Sequence, residues 1–166
     1  MMLKPVHEGS SIGMARVERA ADLEQAWQTA AGYDREVLAE AWIEGQEYTA
    51  AIVAETSLPL IRLETPREFY DYEAKYTAGK AEEITPARIP LGLMKQCEEL
   101  AKKVYDLTDC SGIILADFII KGNQLYFLEL NSIPGMSKES IIPQQVESMG
   151  LKMQDVLKQV IENKLN

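Results

Sequence analysis

The stretch GIILADFIIKGNQLYFLELN, residues 112–131, constrains the fold of this chain more than any other. Two runs rich in Ile, Leu and aromatic residues flank KGNQ, a pattern that predicts two antiparallel strands joined by a tight turn. A three-residue loop, 122–124, then sets the register of the pair. The pairs that face each other are Asp117 with Glu129 and Leu115 with Asn131. Because side chains alternate along a strand, all four lie on one face of the predicted sheet.

Three of these side chains, Asp117, Glu129 and Asn131, offer oxygen atoms that could bind a cation. A carboxylate buried among apolar side chains is strongly destabilising unless it has a partner, so something is expected to neutralise this face. Oxygen ligands of this kind are those that Mg²⁺ prefers, particularly when substrate phosphates complete the coordination shell. The alternative is a half-exposed hairpin whose polar face simply meets solvent.

The remaining pattern predicts an α+β protein with antiparallel strands and a few amphipathic helices. Apolar residues at helical spacing predict the helices, and short β-branched runs predict the strands. The predicted strands are 1–5, 14–18, 37–43, 47–53 and 57–64, and the predicted helices are 22–31, 91–107 and 153–165. Residues 65–90 contain Gly79 and three prolines with little periodicity, so they are predicted to form a long loop.

A second candidate site is the loop HEGSSIG, which joins the first two predicted strands. Gly9 and Gly13 allow backbone N–H groups to approach an anion, and Ser10 and Ser11 add hydroxyl donors. Lys4 adds a positive charge just before the loop. A simple turn between two strands would explain the same residues without any ligand.

A third candidate lies in EFYDYEAKY, within the predicted long loop. Its end carries Lys75 and Tyr76, a cation and a phenol that a closing lid could place over bound phosphate. An aromatic loop packed on the surface is the alternative.

The composition excludes several classes of function. The formal net charge of −9 argues against nucleic acid as a partner, because binding to the phosphate backbone needs clustered Lys and Arg. No run approaches the ~18 apolar residues that span a bilayer, and the N-terminus lacks the pattern of a signal peptide, so we expect a cytoplasmic protein with no membrane partner. Two cysteines are too few to predict a disulfide framework.

Four motifs in one order identify a family resemblance that covers essentially the whole chain. KPVHEGSSIGMARV, EAWIEGQEYT, FYDYEAKY and ELNSIPGMSKES resemble the C-terminal part of bacterial D-alanine–D-alanine ligases, which belong to the ATP-grasp enzymes. The resemblance implies the ATP-grasp fold, in which two lobes of antiparallel sheet and packed helices hold ATP between them. Residues 1–39 would be part of the smaller lobe and residues 40–166 the larger one.

The resemblance also implies the residues that bind ATP. Lys4 would contact the phosphates, and the loop Glu8, Gly9, Ser10 and Ser11 would cover them, with Lys75 from the lid. The segment of Glu40, Ala41 and Ile43 would meet the adenine, and Glu47 would hold the ribose hydroxyls. Two Mg²⁺ or Mn²⁺ ions would be held by the residues matching Asp117, Glu129 and Asn131.

The reaction implied is a two-step ligation. The carboxylate of one D-alanine takes the γ-phosphoryl group of ATP, and the amine of a second D-alanine attacks the acyl phosphate and releases phosphate. The catalytic group implied is Ser10, Lys75, Tyr76 and Gly135, and the segment receiving the second D-alanine contains Ser140 and Ile141. Members of the family act in peptidoglycan precursor synthesis and are commonly homodimers.

The sequence departs from the family pattern at two places. Leu115 stands where the family has an arginine that helps to hold the substrate carboxylate and the developing oxyanion. SKE at 137–139 replaces the usual Thr-x-His. The family's N-terminal domain does not precede the motifs, so we expect a piece of a longer protein that is inactive alone. Two alternatives follow: a degenerate module that binds Mg-nucleotide without ligation, and a ligase that uses another acceptor.

Overall fold

The computed structural model describes residues 1–64, 82–138 and 140–165 of the chain. The described residues form two compact units. One is built on Met1–Glu44, and the other on Gly45–Glu64 and Glu83–Asn166. The predicted lid residues Lys75 and Tyr76 lie outside the described residues. Among the residues that are described, no helix is both long and apolar enough to cross a membrane.

The first unit is a small antiparallel sheet with one helix. Its strands are β1 (Met2–Pro5), β2 (Ala15–Arg16) and β3 (Val37–Glu40), in the order β2-β1-β3. A 3-10 turn at Ala20–Asp22 leads into α1 (Leu23–Ala31), whose small residues Ala26 and Ala30 are buried. Leu3, Val17 and Ala26 form the core between sheet and helix. The observed strand β3 is shorter than the predicted strand 37–43, because it ends at Glu40.

The second unit is a larger sheet with helices on both faces. Its strands are β4 (Gln46–Val53), β5 (Thr56–Ser57), β6 (Ile61–Glu64), β7 (Glu82–Ile84), β8 (Ile113–Lys121) and β9 (Gln124–Asn131). The strand order is β7-β6-β4-β8-β9, and β5 pairs with β4. Its helices are α2 (Leu91–Leu107), α3 (Ile141–Ser148) and α4 (Met153–Leu165). Because β9 lies at the end of this order, the predicted hairpin forms one edge of the sheet.

Each face of the larger sheet buries a separate apolar cluster. On one face, α2 packs on alternate residues of β4 and β8; this cluster includes Tyr48, Ile52, Cys97, Ala101, Ile114 and Phe118. On the other face, α3 and α4 cover one half of the same strands; this cluster includes Ala51, Val53, Ile113, Leu115, Ile142, Val146 and Val156. The half that these two helices leave uncovered carries the polar residues described below.

Two further local predictions were wrong, and one helix was missed. The predicted strand 57–64 is divided between β5 and β6, and the end of the predicted long loop contains β7. The helix α3 was not predicted. Pro143 lies in its first turn, where a backbone N–H has no acceptor within the helix, so proline is tolerated there.

Candidate functional site

The hairpin of β8 and β9 has the predicted register at the site, although its loop is shorter than predicted. The pairs are Asp117 with Glu129 and Leu115 with Asn131. At the turn, Lys121 pairs with Gln124, which leaves a two-residue loop rather than three. A register shift between Asp117 and Phe118 places one extra residue in β9 and compensates for the shorter loop. The predicted pairs are therefore confirmed, but a β-bulge produces them.

Five polar side chains share one face of the larger sheet. On β4, Glu47 pairs with Ile119 and Thr49 pairs with Asp117. Directly paired residues of neighbouring strands point to the same side, and so do residues two apart along a strand. The residues that share the face are Glu47, Thr49, Asp117, Glu129 and Asn131. The predicted ribose ligand and the predicted metal ligands thus lie on one surface, which we call the polar face.

Asp117 is a carboxylate of the polar face that accepts a hydrogen bond from a buried side chain. The Thr49 hydroxyl donates a hydrogen bond of 2.6 Å to Asp117 Oδ1, and Thr49 itself is fully buried. Glu129 and Asn131 are exposed, whereas Asp117 is half-buried. The argument that a buried carboxylate needs a partner therefore applies to Asp117. It does not apply to Glu129 or Asn131, because both are exposed. Thr49 was missed as a site residue, since a single threonine in a strand has no distinguishing spacing.

Asn131 is held by a local turn at the end of β9. Its Oδ1 accepts a hydrogen bond of 3.0 Å from the backbone N–H of Ile133. This bond fixes the amide plane, and a carbonyl oxygen keeps a second lone pair for another partner. Asp117, Glu129 and Asn131 together present the hard oxygen donors that fit a divalent cation such as Mg²⁺.

The segment after β9 brings three small residues together. A Cβ placed on Gly135 would lie 2.7 Å from Ser140 Oγ, so no larger residue fits there without moving Ser140. The hydroxyls of Ser137 and Ser140 lie 3.0 Å apart, and the Ser140 N–H donates to the Ser137 carbonyl at 2.9 Å. Ser140 precedes α3 without capping it through its side chain. The structure thus places Gly135 against Ser140, and Ile141 is the first residue of α3. It also brings Ser137 to this segment, a residue that the sequence singles out only as part of a departure from the family pattern.

In the first unit, Lys4 is paired with a predicted adenine-segment residue. Lys4 Nζ lies 2.8 Å from Glu40 Oε2, since β1 and β3 are paired and place the two side chains on one face. Beyond Glu40, between Ala41 and Ile43, the ring of Trp42 lies beneath the Arg16 guanidinium at 4.4 Å. This contact packs the predicted adenine segment against β2.

The loop after β1 contains a tight turn centred on Ser10 and Ser11. The Ile12 N–H donates to the Gly9 carbonyl at 3.1 Å, closing a turn whose two central residues have positive φ, 52° at Ser10 and 62° at Ser11. Such a turn strongly favours glycine or asparagine, so two serines there store local strain. Gly13, at the end of the loop, also has a positive φ of 71°.

His7 and Asp34 hold the base of this loop. Asp34 Oδ2 accepts hydrogen bonds of 2.8 Å from the backbone N–H and from Nδ1 of His7, and Oδ1 accepts from the Glu36 N–H at 3.1 Å. The bond from the Glu36 N–H, followed by those from His7, lowers the pKa of Asp34 to about 2. The side-chain hydrogen bond to Asp34 also raises the pKa of His7 above its ordinary value.

Comparison with known proteins shows which family this arrangement belongs to. A family model described as D-ala D-ala ligase C-terminus matches residues 1–162. The chain belongs to this family. A D-alanine–D-alanine ligase of Alkalilimnicola ehrlichii is 46% identical over 157 residues, covering 94% of this chain and 50% of the relative. That of Methylococcus capsulatus is 37% identical over 163 residues, covering 98% of this chain and 53% of the relative.

Solved structures agree with the family. The D-alanine–D-alanine ligase of Bacillus anthracis superimposes with a TM-score of 0.85 at 30% identity, covering 99% of this chain and 54% of that one. The VanG D-Ala:D-Ser ligase of Enterococcus faecalis gives 0.86 at 30% identity, covering 98% and 48%. The predicted ATP-grasp fold is thus confirmed. The chain spans about half the length of the relatives and structures that it matches.

Proposed function

We propose that this chain is the nucleotide-binding and catalytic portion of a D-alanine–D-alanine ligase. Such a ligase joins two D-alanines through an acyl phosphate and converts ATP to ADP and phosphate. The polar face carries this proposal. Its Asp117, Glu129 and Asn131 lie together in a family whose relatives bear that name. The Bacillus anthracis ligase, crystallised with ATP, superimposes with a TM-score of 0.83 at 25% identity, which supports ATP as the nucleotide.

The residues of each unit have separate roles in this proposal. In the first unit, Lys4 leaves its ion pair with Glu40 and contacts the ATP phosphates. The Glu8–Ser11 loop donates hydrogen bonds to the same phosphates from its N–H and hydroxyl groups. Glu40 to Ile43 meets the adenine. In the second unit, Glu47 binds the ribose hydroxyls. Lys75 and Tyr76, outside the described residues, would close over the phosphates.

Two divalent ions, Mg²⁺ or Mn²⁺, would be held by Asp117, Glu129 and Asn131. When bound, they would neutralise the charge of the transferring phosphoryl group. The chain's own contribution is positioning. The Thr49 hydroxyl donates a hydrogen bond to Asp117, and the backbone N–H of Ile133 donates one to Asn131.

The segment around Gly135 receives the second D-alanine. Ser140 and Ile141 contact this substrate, and Gly135 leaves room for the Ser140 hydroxyl that a larger residue would displace. We place the reaction in peptidoglycan precursor synthesis in the cytoplasm. We also propose that the complete protein is a homodimer with neither nucleic acid nor membrane among its partners.

Product analysis tests this function. The complete gene product is incubated with ATP, Mg²⁺ and D-alanine, and both phosphate release and D-alanyl-D-alanine formation are followed. We expect equal amounts of dipeptide and phosphate, with loss of both in the Asp117→Asn variant. Phosphate release without dipeptide, or dipeptide formation unaffected by this substitution, would reject the proposal.

A second candidate is a ligase that joins D-alanine to another acceptor, such as D-serine. It is favoured by SKE at 137–139, which replaces the usual Thr-x-His pattern and places the Ser137 hydroxyl against that of Ser140, and by the similarity to the D-Ala:D-Ser ligase. Incubation with equal concentrations of D-alanine and D-serine distinguishes the two, because an excess of D-alanyl-D-serine at neutral pH supports only this candidate.

The third candidate is a module that binds nucleotide without ligation. Leu115 favours it, since the loss of one oxyanion donor typically lowers a rate by about 10² to 10³. Leu115 is buried in the apolar cluster under α3 and α4, where it offers no donor. Dipeptide formation at the rate of the relatives would exclude this candidate.

A further inference from the structure

We propose that Thr49 is a positioning residue that orients Asp117 for binding a divalent cation. This inference rests on the metal site proposed above. Thr49 lies on β4 directly opposite Asp117 on β8, and its hydroxyl donates to Asp117 Oδ1 at 2.6 Å. That distance falls within the range of charge-assisted O–H···O⁻ bonds, which are the stronger hydrogen bonds of proteins.

The surroundings of Thr49 make the position of its hydroxyl rigid. The residue is fully buried in the middle of a strand that pairs on both sides, with β6 and with β8. A β-branched side chain in this setting has few accessible rotamers. The donor therefore stays in place whether or not a cation is bound, and one oxygen of Asp117 is held by the protein.

Ordering a ligand in this way affects cation binding rather than folding alone. A carboxylate that already accepts a fixed hydrogen bond loses less freedom when its remaining lone pairs bind a metal ion. Groups that orient metal ligands in this manner typically contribute about 10–100-fold to metal affinity. A purely structural role, in which Asp117 serves only to satisfy a buried hydroxyl, predicts no such effect.

Two substitutions separate these roles. Thr49→Val keeps the shape of the side chain and removes the donor, whereas Thr49→Ser keeps the donor and removes a methyl group. Thr56→Val is the matched control, because Thr56 is an exposed threonine of β5 in the same unit. Mn²⁺ is titrated into the complete gene product saturated with a non-hydrolysable ATP analogue, and free Mn²⁺ is counted by electron paramagnetic resonance. Affinity for the analogue without metal is measured separately.

We expect Thr49→Val to weaken Mn²⁺ binding by about 10–100-fold, with metal-free nucleotide affinity unchanged. Thr49→Ser and Thr56→Val should stay within a few-fold of the original chain. Mn²⁺ binding that is lost in Asp117→Asn but unchanged in Thr49→Val overturns the positioning role alone. Equal losses of metal and nucleotide affinity in Thr49→Val also overturn it, since they indicate damage to the fold. Absence of Mn²⁺ binding by the original chain overturns both this role and the proposed metal site.

Discussion

Restoring the family arginine at position 115 is expected to destabilise this chain. Leu115 is 7% exposed and belongs to the apolar cluster that α3 and α4 cover. Burying a leucine side chain contributes roughly 1.5–3 kcal/mol, which Leu115→Arg removes. A guanidinium without a full set of partners adds a desolvation penalty. We therefore expect the free energy of unfolding to fall by about 3–5 kcal/mol, a large part of the ~5–15 kcal/mol typical of a domain.

Urea unfolding followed by circular dichroism measures this loss through the midpoint at constant slope. Leu115→Met is the control, because it conserves volume in the core and should cost less than ~1.5 kcal/mol. A loss below about 1 kcal/mol for Leu115→Arg would refute the reasoning. It would mean that the new side chain leaves the cluster and pairs with Asp117, two residues along β8 on the same face.

Three further predictions concern the first unit and the segment before α3. Gly13→Ala should lower the free energy of unfolding by roughly 2–4 kcal/mol in urea, because φ is 71° and the new Cβ lies 2.7 Å from a ring carbon of Tyr33. Gly9→Ala is the control. It should change the free energy of unfolding by less than ~0.5 kcal/mol, because no heavy atom lies within 4 Å of the new Cβ. Asp34→Asn should lower the pKa of His7, the single histidine, in an NMR titration. The stability that the His7–Asp34 pair contributes is fully present below the unfolded pKa of His7 and is lost as pH rises through its folded pKa. This pH-dependent loss of stability should vanish in Asp34→Asn. Gly135→Ala should raise KM for the second D-alanine without changing nucleotide affinity in calorimetry, because its Cβ displaces the serine hydroxyl 2.7 Å away.

The sequence could predict the fold class and the pairing at the polar face, because both depend on local alternation. It could not predict how the hairpin reaches that register. The two-residue turn and the bulge beside Asp117 offset one another, and a period-2 pattern gives the same pairs for either combination. Two compensating deviations cannot be separated by counting residues along the strands.

Contacts between segments distant in sequence were likewise beyond prediction. Thr49 and Asp117 are 68 residues apart, and His7 and Asp34 are 27 apart. Their roles follow from strand pairing and from the turn before β3, which a single sequence does not specify. The positive φ of Ser10 and Ser11 is a third case, because glycine is the residue that ordinarily adopts such angles.

The polar face also explains why the change at position 115 is structural as well as chemical. Along β8, Ile113 and Leu115 lie in the cluster that α3 and α4 cover, and Asp117 is the next residue on the same face. Position 115 is therefore the last one before the part of the sheet that α3 and α4 do not cover. An arginine there would place a guanidinium at the edge of the apolar cluster, whereas leucine extends the cluster up to that edge. If the ligase activity proposed here is retained, the substrate carboxylate must be held by a donor from another segment. An activity assay of Leu115→Arg has to separate the gain of a guanidinium donor from the loss of core packing.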